Sequence, residues 1–166
     1  YKVPFYQREY RWKRKQFEEL INDLQEEFLS QFEPDHGRDR VAQYKTYFLG
    51  TMLTTSDEET ARKIIIDGQQ RLTSLTLFFI YAIRLRKVFE NKNITNLDSL
   101  IRTESFGQPV LNFESDEERS LLVNKLLEED EVDGNDQFDF IDNADEGTRN
   151  AFQRFKDIDD ILDEEI

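Results

Sequence analysis

The sequence predicts an α+β fold: a small sheet with helices packed on it, followed by a helical C-terminal half. Three observations carry this. Thr46 to Thr54 (TYFLGTMLT) and Lys63 to Asp67 (KIIID) are rich in aromatic and β-branched residues, and the polar SDEET between them suits a hairpin turn. Apolar residues recur at helical spacing over residues 15–32 and 69–90. Beyond residue 115 the patterns that remain are helical.

Taken in order, Tyr1 to Trp12 is expected to be extended, because Pro4 disfavours helix before it and aromatic residues alternate with polar ones. Phe17, Leu20, Ile21, Leu24 and Phe28 then fall on one face of a helix over Lys15 to Phe32, which Glu33-Pro34-Asp35-His36-Gly37 ends. The hairpin follows, built on 46–54 and 63–67. Gln69 to about Glu90 is a long helix whose middle, SLTLFFIYAIRL, is apolar nearly all round and marks the centre of the core. Ser115-Asp-Glu-Glu118 reads as a capping box for a helix near 116–129. The last helix, about Thr148 to Leu162, carries Phe152, Phe155, Ile158 and Leu162 on one side. Between these two, EEDEVDGNDQFDFIDNADEG reads as a solvated acidic loop. It has no calcium-loop frame with a glutamate at the twelfth place.

The 166 residues suit one domain, with residues 1–90 as its α+β core and 91–166 as an acidic, mainly helical extension of it. The chain opens at Tyr1 on a dense motif, so it is expected to be a piece of a longer protein. It has no cysteine, which excludes a disulfide scaffold, a thiolate zinc site and thiol catalysis. A cytoplasmic protein without a membrane span is the plain reading, since the longest strongly apolar stretch, Leu75 to Ile83, is about half of what a span needs. No signal peptide is visible.

The net charge of −14 is unevenly spread. Residues 1–90 hold 15 Lys/Arg against 14 Asp/Glu, whereas 91–166 hold 7 against 22. Within the first half, Lys2, Arg8, Arg11, Lys13, Arg14 and Lys15 oppose only Glu9, a basic run that could face an anion. Arg11, Lys13, Arg14 and Lys15 are therefore candidate DNA contacts. His36 is the only histidine and is expected to be exposed and inert. Histidine-based nuclease motifs, serine triads and zinc hydrolase sites cannot be built from one histidine. Neither a G-x-x-x-x-G-K-[ST] loop nor G-x-G-x-x-G is present.

The stretch IIIDGQQRL (64–72) concentrates polar residues where a strand hands over to a helix. Unpaired N–H groups in a first helical turn favour a phosphate, Gly68 permits close approach, and Arg71 offers a bidentate fork. Asp67 could hold a magnesium ion or position a water, and Gln69 and Gln70 could orient either. The plainer alternative is that Asp67 caps the helix, Gly68 makes the turn and Arg71 pairs with a carboxylate. Spacing alone slightly favours the plainer one. A second polar block, Tyr6-Gln7-Arg8 running on to Trp12, has its own plain reading as a basic edge segment with packed aromatics.

Together, VPFYQREYRWKRKQFEELINDL, YFLGTML and IIIDGQQRLTSLTLF resemble the DGQQR-motif domain, formerly a domain of unknown function. It is the N-terminal part of GmrSD-type modification-dependent restriction enzymes and of related phage-defence proteins. All three blocks match in order and spacing over residues 3–80. QPVLNFESDEERSLLVNKLL and GTRNAFQRF look like the family's later helical segments, whereas 91–108 and 129–146 carry no resemblance.

The resemblance implies a fold similar to the ParB and sulfiredoxin group, and nucleoside-triphosphate binding and hydrolysis that governs DNA cleavage. It implies a divalent cation such as Mg2+ with the nucleotide, and a signature site at Asp67, Gly68, Gln69, Gln70 and Arg71. Asp67, Gln69, Gln70 and Arg71 would be catalytic, with Asp67 on the metal. Tyr6, Gln7, Arg8, Gly68, Arg71 and Thr73 would bind the nucleotide. Arg11, Trp12 and Gln16 also match the pattern. The family's nuclease usually sits in a separate C-terminal histidine-asparagine-histidine domain, which this chain does not contain, so the implied partners are nucleotide, that nuclease domain or subunit, and DNA through the full-length protein. A non-catalytic DNA-sensing or protein-interaction module using residues 6–15 is the alternative.

Overall fold

In the computed structural model the elements run α1 (Arg14–Leu29), α2 (Arg38–Val41), β1 (Leu53–Ser56), β2 (Lys63–Asp67), α3 (Gln69–Val88), α4 (Asp98–Ile101), β3 (Arg102–Ser105), β4 (Gln108–Leu111), α5 (Glu117–Glu128) and α6 (Glu146–Asp163), with a 3-10 turn at Ile141–Asn143. The structure describes residues 1, 3, 9–57, 63–88, 97–106, 108–113, 116–128 and 138–163. The α+β class and the helical C-terminal half are as expected from the sequence, but among the described residues the β content is two separate antiparallel hairpins, β1-β2 and β3-β4.

The first hairpin pairs Thr54 with Ile65, Thr55 with Ile64 and Ser56 with Lys63, and a register shift between Leu53 and Thr54 sets Leu53 against Asp67. The expected strand 46–54 is thus displaced: residues 46–52 are irregular and the strand starts at Leu53. The reason is local. Gly50 has a φ of +87°, which breaks an extended run, and the carbonyls of Leu49 and Thr51 are taken by a side chain instead of a strand partner. The second hairpin, Arg102 opposite Leu111 through Ser105 opposite Gln108, had no counterpart in the sequence reading.

The core is helical. α3 and α1 both pack on α6, and α5 packs on α3 and α6. Phe17, Leu20 and Ile21 of α1 are buried as their spacing predicts, while Phe28 at the far end is 42 % exposed and the helix stops at Leu29 instead of Phe32. Leu77, Ile80 and Ile83 of α3 meet Leu122 and Leu126 of α5 and Phe155, Ile158 and Ile161 of α6 in one cluster. Each fully buried side chain of this kind contributes roughly 1.5–3 kcal/mol. Arg84 lies within the cluster at 1 % exposure, donating from Nε to the Leu126 carbonyl at 2.8 Å and stacking 4.9 Å from the Phe155 ring centre.

Two caps differ from the sequence reading. The α5 cap is Asp116, whose Oδ1 accepts the Arg119 N–H at 2.8 Å; Ser115 lies outside the described residues. α6 begins earlier, at Glu146, with Asp145 accepting from Thr148 N at 2.7 Å and Thr148 Oγ1 at 3.1 Å. The acidic stretch is not solvated throughout. Residues 129–137 lie outside the described residues, but Phe138 and Phe140 pack on the core and Ile141 is buried within it. His36 is half-buried, with Nδ1 2.6 Å from the Tyr44 hydroxyl.

Candidate functional site

β2 ends at Asp67, Gly68 turns the chain with a φ of +98°, and α3 starts at Gln69. The Gly68 carbonyl accepts the Leu72 N–H at 3.0 Å, so Gly68 itself occupies the cap position and the next N–H groups open the helix. Asp67 does not cap through its side chain. Its carboxylate, 67 % exposed, lies 3.7 Å from Arg71 Nη2, one helical turn on.

Arg71 does something that neither sequence reading contained. Nη1 donates to the Leu49 carbonyl at 2.5 Å and Nη2 to the Thr51 carbonyl at 2.6 Å, so the fork straddles Gly50. A Cβ on Gly50 would stand 1.9 Å from Arg71 Nη1, so any side chain there displaces the guanidinium from its two carbonyls, and the positive φ disfavours one independently. The YFLGTML and DGQQR blocks are therefore one assembly, with the loop strapped to the helix start.

Gln70 joins the third block. Its Nε2 donates to the Glu9 carbonyl at 2.8 Å, and its Oε1 accepts the N–H of Arg11 at 2.8 Å and of Trp12 at 3.3 Å. The side-chain amide thus acts as a length of strand edge for residues 9–12. Tyr10, fully buried, meets Ser74 Oγ at 2.8 Å through its hydroxyl, and burial pushes its phenol up to about 12. On the other side α6 closes the segment: Asn150 Nδ2 donates to the Tyr10 carbonyl at 3.2 Å, and a Cβ at Gly147 would lie 2.7 Å from the Tyr10 nitrogen. Arg154, held by Asp157 at 2.6 Å, reaches the Trp12 carbonyl at 3.5 Å.

The structure therefore brings together Asp67, Gly68, Gln70 and Arg71 with residues 9–12 and 49–51. Tyr6, Gln7 and Arg8 lie outside the described residues, and Glu9, which follows them, is the residue Gln70 grips. The Oε1 of Gln69 is buried without a hydrogen-bond partner among the described residues. Thr73 is not at the surface of this corner; it is 5 % exposed and faces Arg119, Ser120 and Val123 of α5.

Of the basic candidates, Arg11 is exposed and bonded to Glu9 Oε2 through Nε at 2.7 Å and through Nη2. Arg14 reaches Asp160 at 3.3 Å and Glu18 at 3.9 Å. Lys15 stands 3.9 Å from Glu19, and exposed Lys13 heads α1 with its N–H on Gln16 Oε1 at 3.1 Å. Much of the basic run is thus neutralised at home. Among the described residues, Glu33, Asp35 and His36 bring ligand-type atoms within 4.8 Å of one another, in the loop after α1.

The sequence reading missed Gly147, Asn150 and Arg154 because nothing local marks them. Their only signal was GTRNAFQRF itself, where a glycine and an asparagine interrupt an otherwise amphipathic helix.

Fold and corner together define an α+β module in which a strand-turn-helix motif is locked to an N-terminal segment and a glycine loop, without the histidines of a nuclease centre. The chain belongs to the family of the GmrSD restriction endonuclease N-terminal domain, whose model matches residues 1–165. It is thus a domain of a restriction, phage-defence type of protein. No curated protein and no solved structure matches it. No helix among the described residues is long and apolar enough to cross a membrane.

Proposed function

We propose that the domain binds and hydrolyses a nucleoside triphosphate at the start of α3, in the cytoplasm, and thereby regulates DNA cleavage by a nuclease domain or subunit outside this chain. The observation that carries the reading is the grip of Gln70 on Glu9, Arg11 and Trp12. It holds Glu9, which follows Tyr6-Gln7-Arg8 in sequence, against the D-G-Q-Q-R turn across 61 residues of sequence. The mode is that of the ParB and sulfiredoxin group, in which a glycine-arginine helix start receives nucleotide phosphates.

In this reading the N–H groups that open α3 bind phosphate, with Gly68 allowing the close approach. Tyr6, Gln7 and Arg8 are assigned to nucleotide binding as well, and Gln69 orients the attacking water. Gln70, already committed to backbone, is a positioning residue. Arg71 holds two loop carbonyls, so a phosphate competes with Leu49 and Thr51 for the same donors and binding is coupled to the loop. Mg2+ takes one or two carboxylates and completes its shell with phosphate oxygens and water. A single exposed Asp67 fits a cation that arrives with the nucleotide, and does not fit a resident ion. Such a cation, when bound, neutralises charge on the phosphate oxygens.

The test is calorimetric titration with the four common triphosphates, with and without Mg2+, followed by turnover. Asp67→Ala and Arg71→Ala are expected to abolish turnover while circular dichroism shows the fold retained. Absence of binding of every nucleotide by the wild-type protein overturns the reading. The DNA-contact alternative predicts instead a salt-dependent DNA affinity that is lost on changing Arg8, Arg11 and Lys13.

A further inference from the structure

The only histidine of the chain stands in a set of metal-type donors, none of which belongs to the D-G-Q-Q-R corner. Glu33, Pro34, Asp35 and His36 form a turn after α1, closed by the His36 N–H donating to the Glu33 carbonyl at 2.9 Å. Pro34 holds the second place, where its fixed φ stiffens a turn. The turn sets one carboxylate oxygen each of Glu33 and Asp35 and one ring nitrogen of His36 within 4.8 Å of one another. His36 Nε2 lies 3.9 Å from Glu33 Oε2.

Two exposed carboxylates alone would be a solvated surface. The imidazole makes this set different, because its side chain is only 19 % exposed and is held from outside the set. Nδ1 is 2.6 Å from the Tyr44 hydroxyl, the Tyr44 ring stands edge-on at 5.8 Å, and Phe28 packs on Tyr44 at 5.8 Å. With Nδ1–H donating to Tyr44, the Nε2 lone pair is left for the carboxylate side. A metal-ligating histidine is built this way, its second nitrogen tied to an outer partner that fixes tautomer and ring. Among the described residues no lysine or arginine forms an ion pair with Glu33 or Asp35. Two anions and a lone pair thus converge with no protein cation among them.

We propose that Glu33, Asp35 and His36 bind a divalent first-row transition ion, with Tyr44 as a positioning residue. Metal bonds of about 2.0–2.2 Å put ligand atoms roughly 3–4 Å apart, so closing the set takes a shift of about 1 Å. Glu33 and Asp35 are exposed, and their side chains can supply it by rotation. The imidazole selects a zinc-like ion over Mg2+ or Ca2+, which prefer oxygen ligands. Three protein ligands leave a position for water, and the bound ion pins the turn between α1 and α2.

The inference does not rest on nucleotide binding, and its readout is at His36 itself. The full-length protein, without nucleotide, is treated with diethyl pyrocarbonate, and modification of His36 is followed by mass spectrometry across a Zn2+ titration, with Mg2+ in parallel. Micromolar Zn2+ is expected to slow that modification about tenfold, as occupancy well above half requires, and millimolar Mg2+ to leave it unchanged. Glu33→Gln and Asp35→Asn, both at exposed positions, are each expected to remove the protection. Tyr44→Phe, which keeps the ring and loses the hydroxyl, is expected to raise the Zn2+ concentration needed by roughly tenfold or more. No protection by Zn2+ overturns the proposal, as does equal protection by Mg2+ or protection that survives Glu33→Gln and Asp35→Asn. An unaltered Zn2+ requirement in Tyr44→Phe overturns the role given to Tyr44.

Discussion

Replacing Gln70 with alanine removes the amide that holds residues 9–12. Two bonds of 2.8 Å are lost, to the Glu9 carbonyl and from the Arg11 N–H, together with a longer one of 3.3 Å from the Trp12 N–H. A hydrogen bond of ordinary geometry contributes about 0.5–1.5 kcal/mol net. Glu9 and Arg11 are exposed, so water replaces part of what is lost. Alanine is also a slightly better helix former than glutamine. The expected cost is therefore about 1–2 kcal/mol, which for a domain of this size lowers Tm by roughly 2–8 °C. Urea unfolding gives the first number and a thermal melt the second. Hydrogen exchange by NMR supplies the local reading, since protection of the Arg11 amide should fall much further than that of α5 amides. Gln70→Glu keeps an acceptor for Arg11 but faces the Glu9 carbonyl with an oxygen, so it should fall between wild type and alanine at Arg11. If Arg11 exchange is unchanged in Gln70→Ala, residues 9–12 are held by something else and the assembly described above is wrong.

Gly50→Ala is expected to destabilise by about 1–3 kcal/mol, from a positive φ and from a clash with Arg71, and the cost should shrink in an Arg71→Ala background; equal costs in both backgrounds by urea unfolding would sink the strap. Tyr10, raised to about 12 by burial, keeps its proton in the folded state while the unfolded phenol loses it near 10. Its contribution is therefore intact below pH 10 and is lost between about 10 and 12, a fall of roughly 2–3 kcal/mol. Tyr10→Phe should flatten that part of the stability curve, and an unchanged alkaline slope would count against the burial argument. Asp145 is held below the ordinary carboxylate range: desolvation pushes it up, but hydrogen bonds from Thr148 and the charge of Arg119 outweigh that. Its stabilisation is present above the unfolded carboxylate pKa and disappears as pH falls through the lower folded one. Asp145→Ala should cost about 1 kcal/mol at neutral pH and show a weaker acid dependence in chemical unfolding.

Periodic features were legible in the sequence because the interactions behind them are local. The faces of α1, α5 and α6 are set by burial on a 3.6-residue repeat, and the order β2-turn-α3 by β-branched residues, a glycine and an apolar run. TYFLGTMLT misled because its aromatic and β-branched content fits a strand, yet the hydrogen-bonding groups of 49 and 51 are spent on Arg71, twenty residues away. β3-β4 escaped because RTESFGQPVL alternates poorly and carries Pro109. Phe138-Asp-Phe-Ile141 was hidden in an acidic context, although its apolar residues are those that seal the core next to α6. At the site, the identity of the blocks was readable but not their roles. A glutamine and an arginine at a helix start look like ligand groups, and only tertiary structure reveals that both serve backbone carbonyls.

The position of Tyr10 has a consequence for how the chain reaches this state. Its segment is bounded by residues 70 and 74 on one side and by 147 and 150 on the other, so its contacts span about 60 and 140 residues of sequence. Contacts that distant repay their loop-closure entropy only after the intervening elements have formed. On the ribosome residues 9–12 emerge ahead of the elements that hold them, and their seat is complete only once α6 has emerged. The N-terminal block is thus the last piece to lock, and a chain truncated before Asn150 is expected to collapse around α3 without assembling its motif corner.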